Sequence, residues 1–303
     1  MKLTTFLRKF DTDEACRAHL ESVRWPEGPV CPRCGTIDQA TPIPTRPGLY
    51  RCGACRKQFT VTVGTVMEGT HLPLRLWYIT MFLILNTAKP ISAMSLHHHL
   101  DVQYRTCWHL LHRLRAMMER GEQLPLAGII EADETYVGGK ARNRQKHRDK
   151  PGRGRGTSSP MIFAAIERGG EARAAVVPSA SAVALDPLMF RRSDRTSILS
   201  TDELAVYDWF GSKMRRHYRV NHSKEFARTE DGIRVHVNTA EGYFGLFKRA
   251  IFGIHHHVSP KHLHRYVHEH NLRYNGREHE IGARIARCLI GSHGRLRLRE
   301  LFA

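Results

Sequence analysis

The sequence predicts an α+β protein with several domains, and three observations lead to this fold class. Two Cys-x-x-Cys pairs lie near the N-terminus, a helical apolar pattern follows, and strand-like runs of a mixed sheet alternate with helical stretches after Glu119. A chain of 303 residues has room for about two domains with real cores. The expected segments are an N-terminal helix and ribbon at 1–70, a helical segment at 71–122, a mixed α/β domain at 123–277 with a basic insertion at 140–160, and a basic tail at 278–303.

The charge balance is strongly basic, with 47 Lys and Arg against 29 Asp and Glu, a net charge of +18. Such an excess favours a polyanionic partner, most often nucleic acid, because each neutralised phosphate releases a counterion. The alternative is a ribosome-associated or simply basic protein. The apolar stretch at 76–88 is too short to span a bilayer, and the N-terminus lacks a signal peptide. We therefore expect no membrane association, a cytoplasmic location and reduced cysteines.

The cysteine spacing predicts a structural zinc ribbon. Cys31 and Cys34 form one pair, Cys52 and Cys55 form the other, and seventeen residues separate the pairs. This is the spacing of two zinc knuckles, and Gly35 supplies the positive φ that such a turn needs. Four thiolates fill a tetrahedral Zn²⁺ site and leave no open position for catalysis. The other cysteines are expected to be ordinary buried residues: Cys16, Cys107 and Cys288.

Helices are predicted on both sides of the ribbon. A short helix with Asp11 as its cap precedes the ribbon, and a buried apolar helix begins at Leu72. A short helix capped by Ser92 and a basic helix follow, which is the layout of a helix-turn-helix. The candidate DNA contacts on the basic helix are Arg105 and Arg113. The alternative is a plain helical bundle with a solvated basic face.

Two strand-like runs in the C-terminal half end in carboxylates, at Asp133 and Asp202. A third acid, Glu241, begins an amphipathic helix on which Lys248 shares its stripe. Three carboxylates would suit two Mg²⁺ ions, which are hard cations that prefer oxygen ligands. The alternatives are that Asp202 only caps a helix and that Glu241 only forms a capping pair with Asn238.

The run "GIIEADETYVGGK" contains three acids, and strand alternation separates them. Glu131 and Asp133 should lie on one face of the strand and Glu134 on the other. Spacing alone does not choose between Glu131 and Asp133. The basic insertion that follows cannot form a core, so it predicts either a mobile arm that tracks phosphate or a solvated linker.

These motifs together resemble the zinc-ribbon DDE transposases of bacterial insertion sequences, the ISXO-two-like group. The resemblance covers nearly the whole chain and includes "RWPEGPVCPRCG", "EADETYVGGK", "STDELAVY" and "HVNTAEGYFGLFKRAIFG". It implies an RNase H-like domain, with Asp133, Asp202 and Glu241 as the catalytic acids that hold two Mg²⁺ or Mn²⁺ ions. Glu131 and Glu134 are then expected to be supporting or surface acids.

The resemblance also implies the partners. The ribbon and helices would bind terminal inverted repeats, Lys248 and Arg249 would contact DNA beside the acids, and a freed 3′-OH would attack target DNA. Because the two ends of an element must be processed together, the resemblance implies a homo-oligomer, located in the bacterial nucleoid. Two alternatives remain, namely a DNA-binding regulator without catalysis and an RNase H-like nuclease without strand transfer.

Overall fold

The computed structural model describes residues 1–87, 89–119, 125–138, 159–189, 193–221 and 224–302. The chain divides into two units, one of residues 1–122 and 278–303 and the other of residues 123–277. The predicted basic insertion at 140–160 lies, apart from its last two residues, outside the described residues.

The first unit starts with two helices, α1 (Leu3–Lys9) and α2 (Asp13–Arg24). The hydroxyl of Thr12 accepts a hydrogen bond from the amide of Ala15 at 3.2 Å, so it fills the cap position of α2. The prediction of Asp11 as the cap is therefore wrong by one residue. The reason is that Thr12 is the extended residue directly before the first helical turn.

The ribbon is a small antiparallel sheet of β1 (Ala40–Pro42), β2 (Tyr50–Cys52) and β3 (Gln58–Phe59). Its apolar contacts are few, because only Phe59 and the neighbouring Trp25 provide large buried side chains. Their ring centroids lie 5.8 Å apart in an edge-to-face arrangement. So small a core is consistent with a fold that needs a metal to hold it.

Three helices follow in the predicted order, α3 (Leu74–Asn86), α4 (Ala93–His99) and α5 (Tyr104–Glu119). Ser92 caps α4 as expected, because its hydroxyl accepts a hydrogen bond from the amide of Ser95 at 3.0 Å. The helix-turn-helix order is present, and its role in DNA binding stays a prediction.

The second unit is built on a five-stranded mixed sheet with the order β6-β5-β4-β7-β8. Its strands are β4 (Ile129–Tyr136), β5 (Met161–Glu167), β6 (Ala172–Val177), β7 (Ile198–Thr201) and β8 (Arg216–Arg219). Strands β6, β5 and β4 pair antiparallel, whereas β4, β7 and β8 pair parallel. A separate hairpin joins β9 (Arg228–Glu230) to β10 (Ile233–Val235).

Helices cover both faces of this sheet. They are α6 (Ala182–Met189), α7 (Val206–Gly211), α8 (Asn238–Ala250) and α9 (Leu263–Asn275). One core contains side chains of α6 and α7 together with Phe163, and the other contains side chains of α8 and α9 together with Ile162. Successive residues of β5 therefore point into different cores, which explains its uninterrupted apolar run. The predicted fold class, a ribbon and helices followed by a mixed sheet with helices, is confirmed.

Two asparagines on α9 cover the edge strand β6. The amide of Asn275 accepts from the N–H of Ala172 at 2.7 Å and donates to its carbonyl at 3.0 Å. Asn271, one helical turn earlier, makes the same pair of hydrogen bonds with Ala174 at 3.2 and 2.8 Å. Residues two apart present their backbone groups to the same side of a strand, so these side chains satisfy an edge that would otherwise pair with another chain.

The substitution Asn275→Asp should lower the free energy of unfolding of this unit by about 1–3 kcal/mol. The carboxylate keeps the acceptor for the N–H of Ala172 but loses the donor to its carbonyl and faces that oxygen with a negative charge. Urea unfolding followed by circular dichroism measures the change. An unfolding free energy equal to that of the wild type would contradict a stabilising role for this edge contact.

The chain then returns to the first unit through α10 (Ile281–Ile290) and α11 (Leu298–Phe302). Ile281, Ile285 and Cys288 are buried along one side of α10, which packs against α2, α3 and α5. The structure thus corrects the prediction of a basic tail at 278–303. The apolar stripe of this amphipathic helix completes the core of the first unit, and Arg284 donates to the carbonyl of Leu85 in α3 at 2.9 Å.

Candidate active site and metal centres

The sheet register brings the first two predicted acids together. Strands β4 and β7 run parallel, and Ala132 pairs with Thr201. Asp133 and Asp202 follow these two residues directly, so the carboxylate in the middle of β4 lies beside the one that follows the end of β7. The carboxyl end of a parallel strand such as β7 is where sheets of this kind place their ligand sites. The oxygen of Asp202 also accepts from the amide of Leu204 at 3.0 Å, which fixes the turn after β7.

Glu134 belongs to the same acidic group, although alternation along β4 places it on the other face. Ligand oxygens of Asp133, Glu134 and Asp202 lie within 4.8 Å of one another, and all three residues are partly buried. The buried Tyr207 on α7 donates its hydroxyl proton to Glu134 at 2.7 Å. Sequence reasoning did not find Tyr207, because it lies 73 residues after Glu134 and no local pattern links the two residues.

The electrostatics of the group favour a bound cation. Burial, together with the nearby charges of Glu134, Asp202 and Glu241, raises the pKa of Asp133 from 3.8 to about 7, against the opposing hydrogen bond from the Glu134 amide. Clustered carboxylates without a counter-ion repel each other, and a divalent cation removes that repulsion. The donors are all carboxylate oxygens, so they fit a hard cation such as Mg²⁺.

The third predicted acid, Glu241, lies in the first turn of α8 and is exposed. Its charge contributes to the raised pKa of Asp133, so the two carboxylates lie near enough to interact. It is not part of the close group that Asp133, Glu134 and Asp202 form among the described residues. The structure therefore brings two of the three predicted acids together directly and holds the third nearby.

Glu131 has the deepest position of the four acids. Its side chain is 0% exposed and forms an ion pair with Arg168 at 2.6 Å. It shares a face with Asp133, as strand alternation predicts, but it points into the protein. This carboxylate is held by its guanidinium partner, and its exclusion from the catalytic acids stays a prediction.

The four ribbon cysteines form the other metal-binding group. Their Sγ atoms lie within 4.8 Å of one another, with 3.7 Å between Cys31 and Cys55 and 3.7 Å between Cys34 and Cys52. A tetrahedral ion with Zn–S bonds of about 2.3 Å requires sulfurs about 3.8 Å apart. Gly35 has the expected positive φ of 73°. Hydrogen bonds with the side chain and the backbone of Thr36, together with the neighbouring thiols of Cys31 and Cys55, lower the pKa of Cys34 to about 6, which favours the thiolate.

The predicted DNA-contacting residues occupy different environments. Arg105 and Arg249 are exposed, and Lys248 is partly buried. Arg113 is also partly buried, and its guanidinium donates to the carbonyl of Val66 at 2.6 Å. That hydrogen bond ties α5 to the end of the ribbon, so the contact observed for Arg113 is intramolecular.

Comparison with known families gives both units a context. Residues 125–275 match the family model of the ISXO2-like transposase domain, and residues 11–58 match that of the transposase zinc-ribbon domain. The chain belongs to the ISXO2-like transposase family. In this family context, the acidic group lies within the matched transposase domain and the four cysteines lie within the matched zinc ribbon.

A relative in Halobacterium salinarum supports this assignment over most of the length of the chain. It is an uncharacterized protein in the transposable element ISH50, and it is 28% identical over 288 residues, which cover 88% of this chain and 92% of that protein. No solved structure matches the ISXO2-like chain. Within the part of the chain that the structure describes, no helix is long and apolar enough to cross a membrane.

Proposed function

We propose that this protein is an active transposase that cuts the ends of its insertion sequence and joins them to target DNA. The observation that carries the proposal is the acidic group on β4 and after the end of β7, inside the domain that matches the transposase family. Asp133, Asp202 and Glu241 are its catalytic acids, and Glu134 lies close enough to Asp133 and Asp202 to share an ion with them.

These carboxylates would hold two Mg²⁺ or Mn²⁺ ions. When bound, such ions make a water or a 3′-OH nucleophilic and stabilise the leaving oxygen of a phosphodiester. The protein's own contribution is to keep the carboxylates ionised and aligned. Asp133 contributes most when it has lost its proton, because its raised pKa makes the proton compete with the cation.

The basic residues would hold the DNA. Lys248 lies two turns after Glu241 on α8 and Arg249 follows it, so both can reach the phosphates beside the acids. Arg105 would contact the terminal repeats from α5, and Arg113 would support that helix through its hydrogen bond to Val66. Zinc would stabilise the ribbon that completes the repeat-binding part. The protein would act as a homo-oligomer on the bacterial nucleoid, since two element ends must be joined.

The decisive experiment incubates the protein with a DNA duplex that carries the terminal repeats, in Mg²⁺ or Mn²⁺, and follows nicked and joined products on a gel. We expect both products with the wild type. Glu241→Gln should reduce them at least about 100-fold, because the loss of several kcal/mol of transition-state stabilisation corresponds to that factor. Glu230→Gln is the matched control, since Glu230 is an exposed acid paired with Arg228.

The other outcomes favour the alternatives. Binding of the repeats without cutting in either metal would support a regulator, and cutting without joined products would support a nuclease. Full activity of the Glu241→Gln protein would show that this residue is not one of the catalytic acids.

A further inference from the structure

Helix α8 begins at a residue whose side chain cannot cap it. Its cap position is Val237, and Nδ1 of His236 accepts from the first amide alone, that of Asn238, at 3.3 Å. Glu131 from β4 takes this role, because its Oε2 accepts from the amides of Thr239 at 2.7 Å and Ala240 at 3.1 Å. A carboxylate at this end of a helix also interacts favourably with the helix dipole.

The other carboxylate oxygen of Glu131, Oε1, also accepts hydrogen bonds. Oε1 accepts from Nε of Arg168 at 2.6 Å and from the hydroxyl of Thr239 at 2.9 Å, and Nδ1 of His236 lies 3.1 Å away. Burial of a charge is costly unless it is fully hydrogen-bonded. Glu131 meets that condition, so its position is well defined by its surroundings.

The segment that enters α8 is tied down by the same group. Arg168 donates to the carbonyls of Arg234 and His236 at 2.5 and 3.0 Å. The hydroxyl of Ser200 on β7 also donates to the carbonyl of His236, at 2.8 Å. Strand β4, strand β7 and the start of α8 are therefore joined by one buried polar network.

The network has a fixed relation to the proposed catalytic acids. Glu131 and Ser200 are register partners on β4 and β7, and each lies two residues before an acid, Asp133 and Asp202 respectively. On a strand, residues two apart share a face. Thr239 likewise lies two residues before Glu241 on α8. On each of the three elements, a hydrogen bond of the network is therefore made two residues before the acid.

We propose that Glu131 is a positioning residue, which sets the place of Glu241 relative to Asp133 and Asp202 through Arg168, Ser200 and Thr239. The inference rests on the proposed function, since it assumes that these three acids act together. Glu131 itself touches neither DNA nor metal in this arrangement. It acts by coupling the strand of the first acid to the helix of the third.

The test compares the wild type, Glu131→Gln and the control Glu230→Gln. Glutamine keeps the size of the side chain but loses the charge and one acceptor oxygen. In the metal-free protein, we expect hydrogen exchange at the start of α8 to become at least about tenfold faster, because the cap is weakened. In the cleavage assay, we expect the Mg²⁺ concentration for half-maximal rate to rise about tenfold. Affinity for the repeats should stay within about twofold, since no DNA-contacting residue changes.

A second variant keeps the test decisive if Glu131→Gln does not fold. The double variant Ser200→Ala with Thr239→Val removes two hydroxyl donors of the network and leaves the ion pair intact. It should raise both the rate of hydrogen exchange at the start of α8 and the Mg²⁺ concentration for half-maximal cleavage rate by about threefold to fivefold. Wild-type Mg²⁺ dependence in either folded variant would overturn the inference, as would unchanged exchange at the start of α8.

These experiments distinguish a failure of the proposed function from a failure of the inference about Glu131. A wild-type protein that never cuts the repeat DNA refutes the function and, with it, this inference. A wild-type protein that cuts, combined with a Glu131→Gln protein that cuts with the same Mg²⁺ midpoint, refutes only the inference.

Discussion

The substitution Asp133→Asn should stabilise the metal-free protein at pH 8 and remove most of its stabilisation by Mg²⁺. The pKa of Asp133 is raised to about 7 in the folded protein, against 3.8 for an ordinary aspartate. Between these two values, the folded state holds a proton that the unfolded state has released. Stability therefore falls as the pH rises from about 4 to about 7, and it stays low above that range.

Asparagine carries no charge at any of these pH values, so the variant should lack this pH dependence. At pH 8 without metal, we expect it to be more stable than the wild type by about 1–3 kcal/mol, after allowance for the partial exposure of the site. At pH 4 the two proteins should differ little. Mg²⁺ should raise the melting temperature of the wild type by several degrees at pH 8 and by much less at pH 5, where a proton occupies Asp133.

Thermal unfolding at pH 4, 5 and 8, with and without Mg²⁺, measures these differences. Asp231→Asn is the control, because Asp231 is an exposed acid with a positive φ of 51° that asparagine also tolerates. A metal-free wild type that is as stable at pH 8 as the Asp133→Asn protein would contradict the raised pKa. An equal Mg²⁺ effect on both proteins would show that the ion is held elsewhere.

The parts of the site that the sequence predicted correctly depend on short-range patterns. Alternation along β4 placed Glu131 and Asp133 on one face, and the end of β7 was placed directly before Asp202. The predicted end of the first strand at Asp133 was wrong, because β4 continues to Tyr136. Cysteine spacing likewise predicted the close group of four thiols. Each of these patterns fixes a local geometry, so it can be read without knowledge of the rest of the chain.

The parts that the sequence did not predict depend on contacts between distant residues. Glu134 is held by Tyr207, which is 73 residues away, and Glu131 caps a helix that starts more than 100 residues later. Neither position has a local sequence signal. The C-terminal helix α10 is a different case, because Ile281, Ile285 and Cys288 already have helical spacing, and the basic charge of the segment concealed it.

The substitution Cys34→Ser should remove the zinc and unfold the ribbon, which is the largest loss of local stability that we expect in this protein. The three ribbon strands contain only three, three and two residues, and their large buried side chains are few. Binding of a structural zinc contributes about 10–16 kcal/mol in zinc-finger peptides, and a core of this size cannot replace it. The side chain of Cys34 is exposed, so serine leaves no cavity and the effect reports on the lost ligand.

Metal analysis of the purified protein should give about one zinc per chain for the wild type and almost none for Cys34→Ser. Cys107→Ala is the control, because Cys107 lies in α5 and outside the group of four thiols. The Cys107→Ala protein should therefore keep its zinc. Binding to the terminal repeats should be lost together with the zinc. The second unit contains none of the four ligands, so its sheet should still unfold in its own transition. Retention of zinc by Cys34→Ser would show that these four cysteines do not form the metal site.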